Sequence, residues 1–435
     1  MKLYLQVLGC PKNDSDMSNF RGIMISRGHE FVENPIESEL VMIDTCGFIE
    51  AAKMESIEGI LSFCQLKEEK PELKVIAFGC LVQRYYKELK EEIREIDGLI
   101  SITSPSVLAD LVEKGAFFVL SEPETIYEYE IRCDSPPYAF VKIGDGCDRA
   151  CAFCSIPSFK GKSKSRGVED ITREVRALVK RGIKEIVLVS QDTTQYGTDL
   201  YDRQALPELL RGLDEIEGDF WVRVMYLHPD HLTSRLIHAI ASSKHALPYF
   251  DIPVQSGSDR ILRAMDRTKN NRELRALLKE IRTQVPGAVL RTTLLVGFPG
   301  ENRETIEETL DFIKAVRFNW LGGFVYSPEE GTAAFARKPV MGIERAQEYL
   351  NGLLCEQDEI SHQINQRHVG KHRKALIEEN AGGILVGRLF DSAPEIDGSV
   401  ILSGNADVGG FVECLVTAAD VHDTRGVVGA DAKSA

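Results

Sequence analysis

YAFVKIGDGCDRACAFCSIP, Tyr138–Pro157, decides the reading of this 435-residue chain. Its first half is a short run of apolar and β-branched residues, the composition of a buried strand. Its second half places Cys147, Cys151 and Cys154 in a C-x₃-C-x₂-C spacing directly after that strand. Three thiolates this close can wrap one face of a [4Fe–4S] cube, which takes four ligands in all. Leaving one iron without a cysteine keeps a position open for a substrate or cofactor. The alternative is a zinc site, but Zn²⁺ normally wants four protein ligands. No His or fourth Cys follows nearby.

Downstream, the strand-then-helix unit recurs. EIVLVSQDT (Glu185–Thr193), FWVRVMYLHP (Phe220–Pro229), YFDIPVQSGS (Tyr249–Ser258), AVLRTTLLVGFPG (Ala288–Gly300) and LGGFVYSPEEGT (Leu321–Thr332) read as strands. Helical patterns such as Ile171–Arg181 and Arg303–Arg317 separate them. Six units predict an incomplete, TIM-like (β/α)6 barrel, since a full eight-unit barrel takes about 250 residues. Each strand runs into a polar or Gly-containing loop at its carboxyl end, where barrel active sites form.

Upstream, residues 1–130 read as a parallel α/β domain. KLYLQVLGC (Lys2–Cys10), LVMIDTCGF (Leu40–Phe48) and KVIAFGC (Lys74–Cys80) are predicted buried strands, with helices over Ala51–Glu69 and Gln83–Asp97. Each strand ends in a Cys beside Gly9, Gly47 or Gly79. The ligand crevice of such a sheet lies at the carboxyl ends of its strands, where Cys10, Cys46 and Cys80 all fall. Small neighbours would let backbone approach a bulky cluster; three buried structural cysteines are the other reading.

Asp134–Tyr138, with two prolines, reads as a linker into a central domain over 134–365. A helix over Gly342–Val369 leads to residues 370–435. There KALIEE, GILVGRL, VILSG and GGFVECLVTAA, divided by Gly, Asn and Asp turns, predict a small antiparallel β-barrel. The whole is an α/β multidomain chain.

The net charge of −15 argues against a nucleic-acid grip, which needs Lys and Arg, and suits a basic partner. The amino terminus lacks the long apolar core of a secretory signal. No run of about 18 apolar residues calls for a membrane span. A cytoplasmic setting is expected, where clustered cysteines among the ten present point to metals or catalysis and not disulfides. Cys64, Cys133, Cys355 and Cys414 fit ordinary packing.

GCDRACAFCSIP, with Phe153 before its last Cys, resembles the signature of the radical S-adenosylmethionine (SAM) superfamily. LGCPKND, DTCGFIEAA and GCLVQRY look like the cysteine motifs of the methylthiotransferase domain. With a TRAM-like carboxyl-terminal domain, the order of parts resembles the radical SAM methylthiotransferase family over essentially the whole chain. The resemblance implies two [4Fe–4S] clusters. One, on Cys147, Cys151 and Cys154, chelates SAM and splits it to a 5′-deoxyadenosyl radical. A second, auxiliary cluster on Cys10, Cys46 and Cys80 carries the sulfur, and a second SAM supplies the methyl group.

That family divides mainly into enzymes acting on tRNA adenosine and enzymes acting on an aspartate of the twelfth small-subunit ribosomal protein. CSIPSFKGKSKSR (Cys154–Arg166), SQDTTQYG (Ser190–Gly197) with its Asp192, and APEIDGSVIL (Ala393–Leu402) resemble the protein-modifying branch. Over residues 370–435, six Lys and Arg stand against ten Asp and Glu. An acidic surface suits a basic ribosomal protein better than RNA, so nucleic-acid binding is not expected. The tRNA reaction stays as the alternative, and a zinc-stabilised binding scaffold as the reading of another class. The electron and sulfur donors are not named by the sequence. Candidate SAM contacts at strand ends are Phe153, Gln191, Asp192, Arg223, Gln255, Gly297 and Pro299. His228, Ser256 and Glu301 flank them, with loop structure or helix capping as the ordinary alternative.

Overall fold

The computed structural model describes residues 1–134 and 137–429. Part of the predicted linker (residues 135 and 136) and the last six residues lie outside them. The amino-terminal domain is one six-stranded sheet in the order Glu30–Phe31, Lys2–Val7, Leu40–Thr45, Lys74–Gly79, Gly98–Ile100, Phe118–Val119. Every pairing is parallel. Helices cover both faces, one core holding Leu3, Phe20, Met42 and Phe78 and the other Val41, Ile60, Val75 and Leu89. Burial on both sides is why these strands are continuously apolar and not alternating. The short strands Glu30–Phe31, Gly98–Ile100 and Phe118–Val119 escaped the sequence reading because two or three residues carry no period.

The strand order reverses direction between Lys2–Val7 and Leu40–Thr45. That is the topological switch point, where a parallel sheet opens its crevice. Cys10 follows one of these two strands and Cys46 the other.

Beside a short antiparallel pair, Gly144–Asp145 with Lys164–Ser165, the arc of the central domain has six strands among the described residues: Tyr138–Lys142, Glu185–Val189, Trp221–Val224, Tyr249–Asp251, Val289–Val296 and Trp320–Val325. They form two three-stranded parallel sheets, and a parallel bridge between Val222 and Ala246 joins the arc. Two strands end earlier than the apolar pattern runs. Tyr226 (φ 60°) and Gln255 (φ 71°) adopt left-handed backbone, which breaks extended geometry just past Val224 and Asp251.

The carboxyl-terminal domain is a closed five-stranded barrel in the order His372–Ala381, Ile384–Leu389, Val400–Ser403, Thr424–Val428, Phe411–Ala419. The last strand in the chain, Thr424–Val428, was missed from sequence. It closes the barrel by pairing parallel to Val400–Ser403, so the barrel is antiparallel in all pairs but one.

This small barrel docks at the amino ends of the central strands. Phe140, Trp221, Tyr249 and Trp320 pack with Leu376 and Ala393. Arg223 donates to Glu185 at 2.7 Å and to the Phe390 carbonyl at 3.1 Å, while Arg388 pairs with the same Glu185 at 2.6 Å. The opposite, carboxyl end of the strands is left for the amino-terminal domain. No helix among the described residues is long and apolar enough to cross a membrane.

Candidate functional site

Cys147, Cys151 and Cys154 lie on the loop after Tyr138–Lys142, tied down mainly by backbone. The Cys147 N–H donates to the Gly161 carbonyl at 3.1 Å and that of Cys154 to the Cys151 carbonyl at 3.0 Å. Ala152 bonds Met265 through its N–H and Ala334 through its carbonyl. Gly146 is required at the loop's entry: its φ is 73°, and a Cβ there would fall 2.1 Å from the Lys162 carbonyl oxygen. Burial pushes the thiol of Cys147 up to about 11 and that of Cys154 up to about 12. Such thiols stay protonated without metal; coordination to iron deprotonates a ligating thiol outright.

Cys10, Cys46 and Cys80 meet at the carboxyl edge of the amino-terminal sheet. Cys10 is the N-cap of helix Pro11–Ser26 and Cys80 the first residue of helix Cys80–Glu92, so two of the three sulfurs sit at positive helix ends, and burial pushes the Cys80 thiol well up. The Cys10 Sγ donates to Asn13 Oδ1 at 3.2 Å, and Asn13 donates to the buried Asp44 at 2.7 Å. Cys80 lies within electrostatic reach of Cys10 and Cys46. The glycines do a different job from the one expected. A Cβ on Gly47 would fall 2.9 Å from the backbone of Cys80 and Leu81, while Gly9 and Gly79 abut Asn13 and Asp44. They let the cysteine loops close on each other and on Asn13 and Asp44.

Charge is concentrated between the two trios. Asp145, two residues before Cys147, accepts from Lys160 at 2.9 Å and from Gln191 at 2.5 Å, with Lys142 at 3.6 Å. Burial alone would raise its carboxyl, yet Lys160, Lys142 and Lys12 hold it below the usual range. Lys160 also feels Cys80 and Cys10. Lys12 is 8% exposed and, among the described residues, has no carboxylate partner; its ammonium stands 5.1 Å from the Tyr226 ring. Buried cations beside three thiols suit an anionic ligand set, because an isolated buried charge is costly. No trio of Cys, His, Asp and Glu among the described residues converges as one metal ion requires. Three thiols with cations beside them are a donor set whose chemistry suits an iron–sulfur cluster.

Three family models match the chain: the Radical SAM superfamily over residues 141–313, Uncharacterized protein family UPF0004 over 2–101, and the TRAM domain over 369–428. The chain is 50% identical over 430 residues to the ribosomal protein uS12 methylthiotransferase RimO of Thermotoga maritima, covering 98% of this chain and 100% of the relative. To RimO of Fervidobacterium nodosum it is 48% identical, covering 98% of each. The chain belongs to the RimO family of radical SAM methylthiotransferases. Among solved structures, the radical SAM methyltransferase TsrM from Kitasatospora setae matches with a TM-score of 0.57 at 12% identity, over 88% of this chain and 77% of that one. The enzyme OxsB matches at 0.52 and 14%, over 82% and 56%. Those likenesses show the fold. Membership of the radical SAM superfamily implies one [4Fe–4S] cluster and SAM.

Within this RimO-family chain the predicted SAM contacts divide. Phe153 packs edge-on against Phe298 at 6.5 Å. Gln191 reaches Asp145, and its Oε1 is buried with no partner. Asp192 caps the turn Thr193–Gln195 and lies 3.4 Å from His231 and 3.7 Å from Arg149, beside Cys147 in a cavity of about 90 Å³. Gln255 holds its left-handed turn by bonding Thr293 and Leu295. These four line the Cys147 end of the barrel or its strand ends.

One prediction is corrected. Arg223 is wholly buried and committed to Glu185 and Phe390, so it anchors the small barrel at the far end of the strands. Gly297 (φ 89°) makes room for the helix Ile343–Asn365, since a Cβ there would fall 2.8 Å from Ala346. Its neighbour Pro299 belongs to the same turn, which Glu301 braces through the Gly297 N–H. His228 accepts from Arg267 at 2.6 Å, and burial with that cation drives it down to about 3. Ser256 bonds Thr309. Sequence reading missed Asp145, Lys12, Lys160, Arg84 and Tyr226. Lys12, Arg84 and Lys160 lay inside the quoted cysteine motifs, and position beside a ligand was the available signal.

Proposed function

We propose that this chain adds a methylthio group to the β-carbon of an aspartate in ribosomal protein uS12, consuming two SAM per turnover. The observation that carries the reading is the pair of facing cysteine trios, linked by Asp145 and Lys160, in a chain half identical end to end to uS12 methylthiotransferases. Cys147, Cys151 and Cys154 would hold the SAM-binding cluster, and Cys10, Cys46 and Cys80 an auxiliary cluster carrying sulfur. When bound, these groups supply the one-electron chemistry and the sulfur that an unacidic C–H bond demands, since general-base catalysis does not suffice there.

The chain's own residues bind, orient and balance charge. Lys160 and Lys12 offset the thiolate charge of the auxiliary trio, assisted by the two helix ends. Gln191 offers its unpartnered Oε1 toward SAM, and Asp192 with Arg149 and His231 shapes the wall beside Cys147. Asp145 fixes Gln191 and Lys160 together, so the SAM side and the sulfur side share one carboxylate.

The small barrel would recognise the ribosomal protein, in the cytoplasm. Its acidity supports this less than the raw count implied, because the fold spends much of it internally. Glu378 pairs with Arg388, Asp397 with Arg291 and Tyr249, Asp391 with His368, and Asp420 with Arg425.

The test is an anaerobic assay with reconstituted enzyme, SAM, sulfide and reductant, offering uS12 and unmodified tRNA in parallel. A gain of about 46 Da on one uS12 aspartate, the mass of SCH₂, is the expected result. The same gain on tRNA adenosine would overturn the substrate and keep the chemistry. Protein holding zinc without acid-labile sulfide would overturn both.

A further inference from the structure

Arg84 touches the chain next to both cysteine trios. It lies four residues after Cys80 on helix Cys80–Glu92, just before the break at Tyr85 (φ −129°, ψ 33°). Its Nη1 donates to the carbonyl of Gly47, the residue after Cys46, and at 3.4 Å to Oγ of Ser155, the residue after Cys154. The same nitrogen meets Glu329 Oε2 at 3.2 Å, and Nη2 reaches the Glu330 carbonyl at 3.4 Å. Lys53, from the helix that follows the Cys46 loop, also pairs with Glu329 at 3.2 Å. The Arg84 side chain is 6% exposed and that of Glu329 2%. The guanidinium also stands over the Phe159 ring at 5.5 Å.

The geometry points to the Arg84–Glu329 pair as the clamp that sets the spacing of the two clusters, and so the step in which sulfur meets the substrate carbon. Resting on the two-cluster reading above, the inference adds a positioning role for residues that ligate nothing. Three loops that carry cluster ligands or close over them converge on one guanidinium: Cys46–Gly47, Cys154–Ser155 and Glu329–Glu330. A planar fork of five donors can serve all three at once, whereas a lysine ammonium on a flexible stem cannot hold the same directions. The pair is buried, so solvent screens it little; Lys53 still compensates Glu329 when Arg84 is lost, whereas loss of Glu329 leaves the Arg84 charge without a carboxylate. Misplacement by about 1 Å can cost about a hundred-fold in rate. Radical formation needs only the Cys147 side. Transfer of sulfur needs both sides in register, so loss of the clamp should uncouple the two.

The test uses full-length holoenzyme of wild type, Arg84→Gln, Arg84→Lys and Glu329→Gln, each reconstituted anaerobically. Wild type should bind about eight irons and, when reduced, show dipolar broadening between the two clusters in its paramagnetic resonance spectrum. In Arg84→Gln the iron should stay, the broadening should change, and the ratio of 5′-deoxyadenosine to methylthiolated product should rise by about ten- to a hundred-fold. The KM for SAM should hold, and Arg84→Lys should recover part of the coupling. Should Arg84→Gln lose iron or fail to fold, Glu329→Gln, which keeps shape and removes charge, carries the same readouts. Eight irons with unchanged broadening and an unchanged ratio in the variant that folds would overturn the clamp alone. About four irons in wild type would overturn the two-cluster reading, and the clamp with it.

Discussion

Cys147, Cys151 and Cys154 lie on one loop after one strand, while Cys10, Cys46 and Cys80 come from three strands of a parallel sheet. The members of the compact trio are close in sequence, and their loop is tied to Gly161 nearby and to Met265 and Ala334 far along the chain. The dispersed trio exists only once the sheet is paired, since its members are brought together by register and by the contact of Gly47 with the Cys80 backbone. Their cations differ as well. Arg149 and Arg267 face Cys151, whereas Lys160 and helix N-termini attend the amino-terminal trio. The contrast teaches that one site is a local motif and the other a property of tertiary structure, so they should fail independently.

The sharpest attempt to break that contrast is to remove one ligand from each side. Cys147→Ala should abolish SAM cleavage and all product, with bound iron falling to about half. Cys80→Ala should lose the same share of iron and all methylthio transfer while still forming 5′-deoxyadenosine, read by iron analysis and chromatography. Loss of SAM cleavage in both would show that the two sides are not separable.

Glu185→Gln probes the end of the barrel remote from both trios. It strips the buried carboxylate shared by Arg223 and Arg388 and should destabilise the chain by about 3–5 kcal/mol. Chemical denaturation would read that loss, and iron content at low temperature should not change. Gly47→Ala should cost about 1–3 kcal/mol from overpacking against the Cys80 backbone. Iron should be lost from the amino-terminal site only, which would mark the dispersed trio as the one sensitive to tertiary fit.

The last effect, read as a pH slope, concerns Glu301, whose carboxyl burial pushes up to about 7 against the N–H donors of Gly297 and Phe298. A carboxyl raised in the folded state contributes stability that is fully present below its unfolded value and is lost as pH rises through about 7. Between about pH 4.5 and 7 the chain should therefore lose up to about 1.4 kcal/mol per pH unit through this group. Glu301→Gln should remove that part of the slope. Denaturation midpoints of wild type and variant at about pH 5 and about pH 7, both inside that window, would check it, and equal slopes would place the pH dependence elsewhere.

Much was legible before any coordinates. The three-part organisation and the parallel sheets followed from apolar runs, because a strand of a parallel sheet covered on both faces is continuously apolar. Cys10, Cys46 and Cys80 stood out as the ends of such runs, and Cys147, Cys151 and Cys154 by their spacing. The family resemblance rested on motifs that are local in sequence, and local motifs survive without a fold. The small barrel was legible but for Thr424–Val428, whose Thr-Arg-Gly start gave no apolar run to announce a strand.

Tertiary structure decided the rest, because those properties depend on residues far apart in the chain. Arg223 looked like a strand-end ligand and proved an anchor, since only packing brings Glu185 and Phe390 to it. The glycines beside the amino-terminal cysteines were visible, but what they touch was not. Lys12 and Lys160 carried no signal of their own in sequence, and burial near the thiols made them part of the site. Arg84 belonged to a motif for no visible reason until Gly47, Ser155 and Glu329 met at its guanidinium. Cysteine spacing along the chain states which atoms can bind metal; the distance between two such sites is written only in how the domains pack.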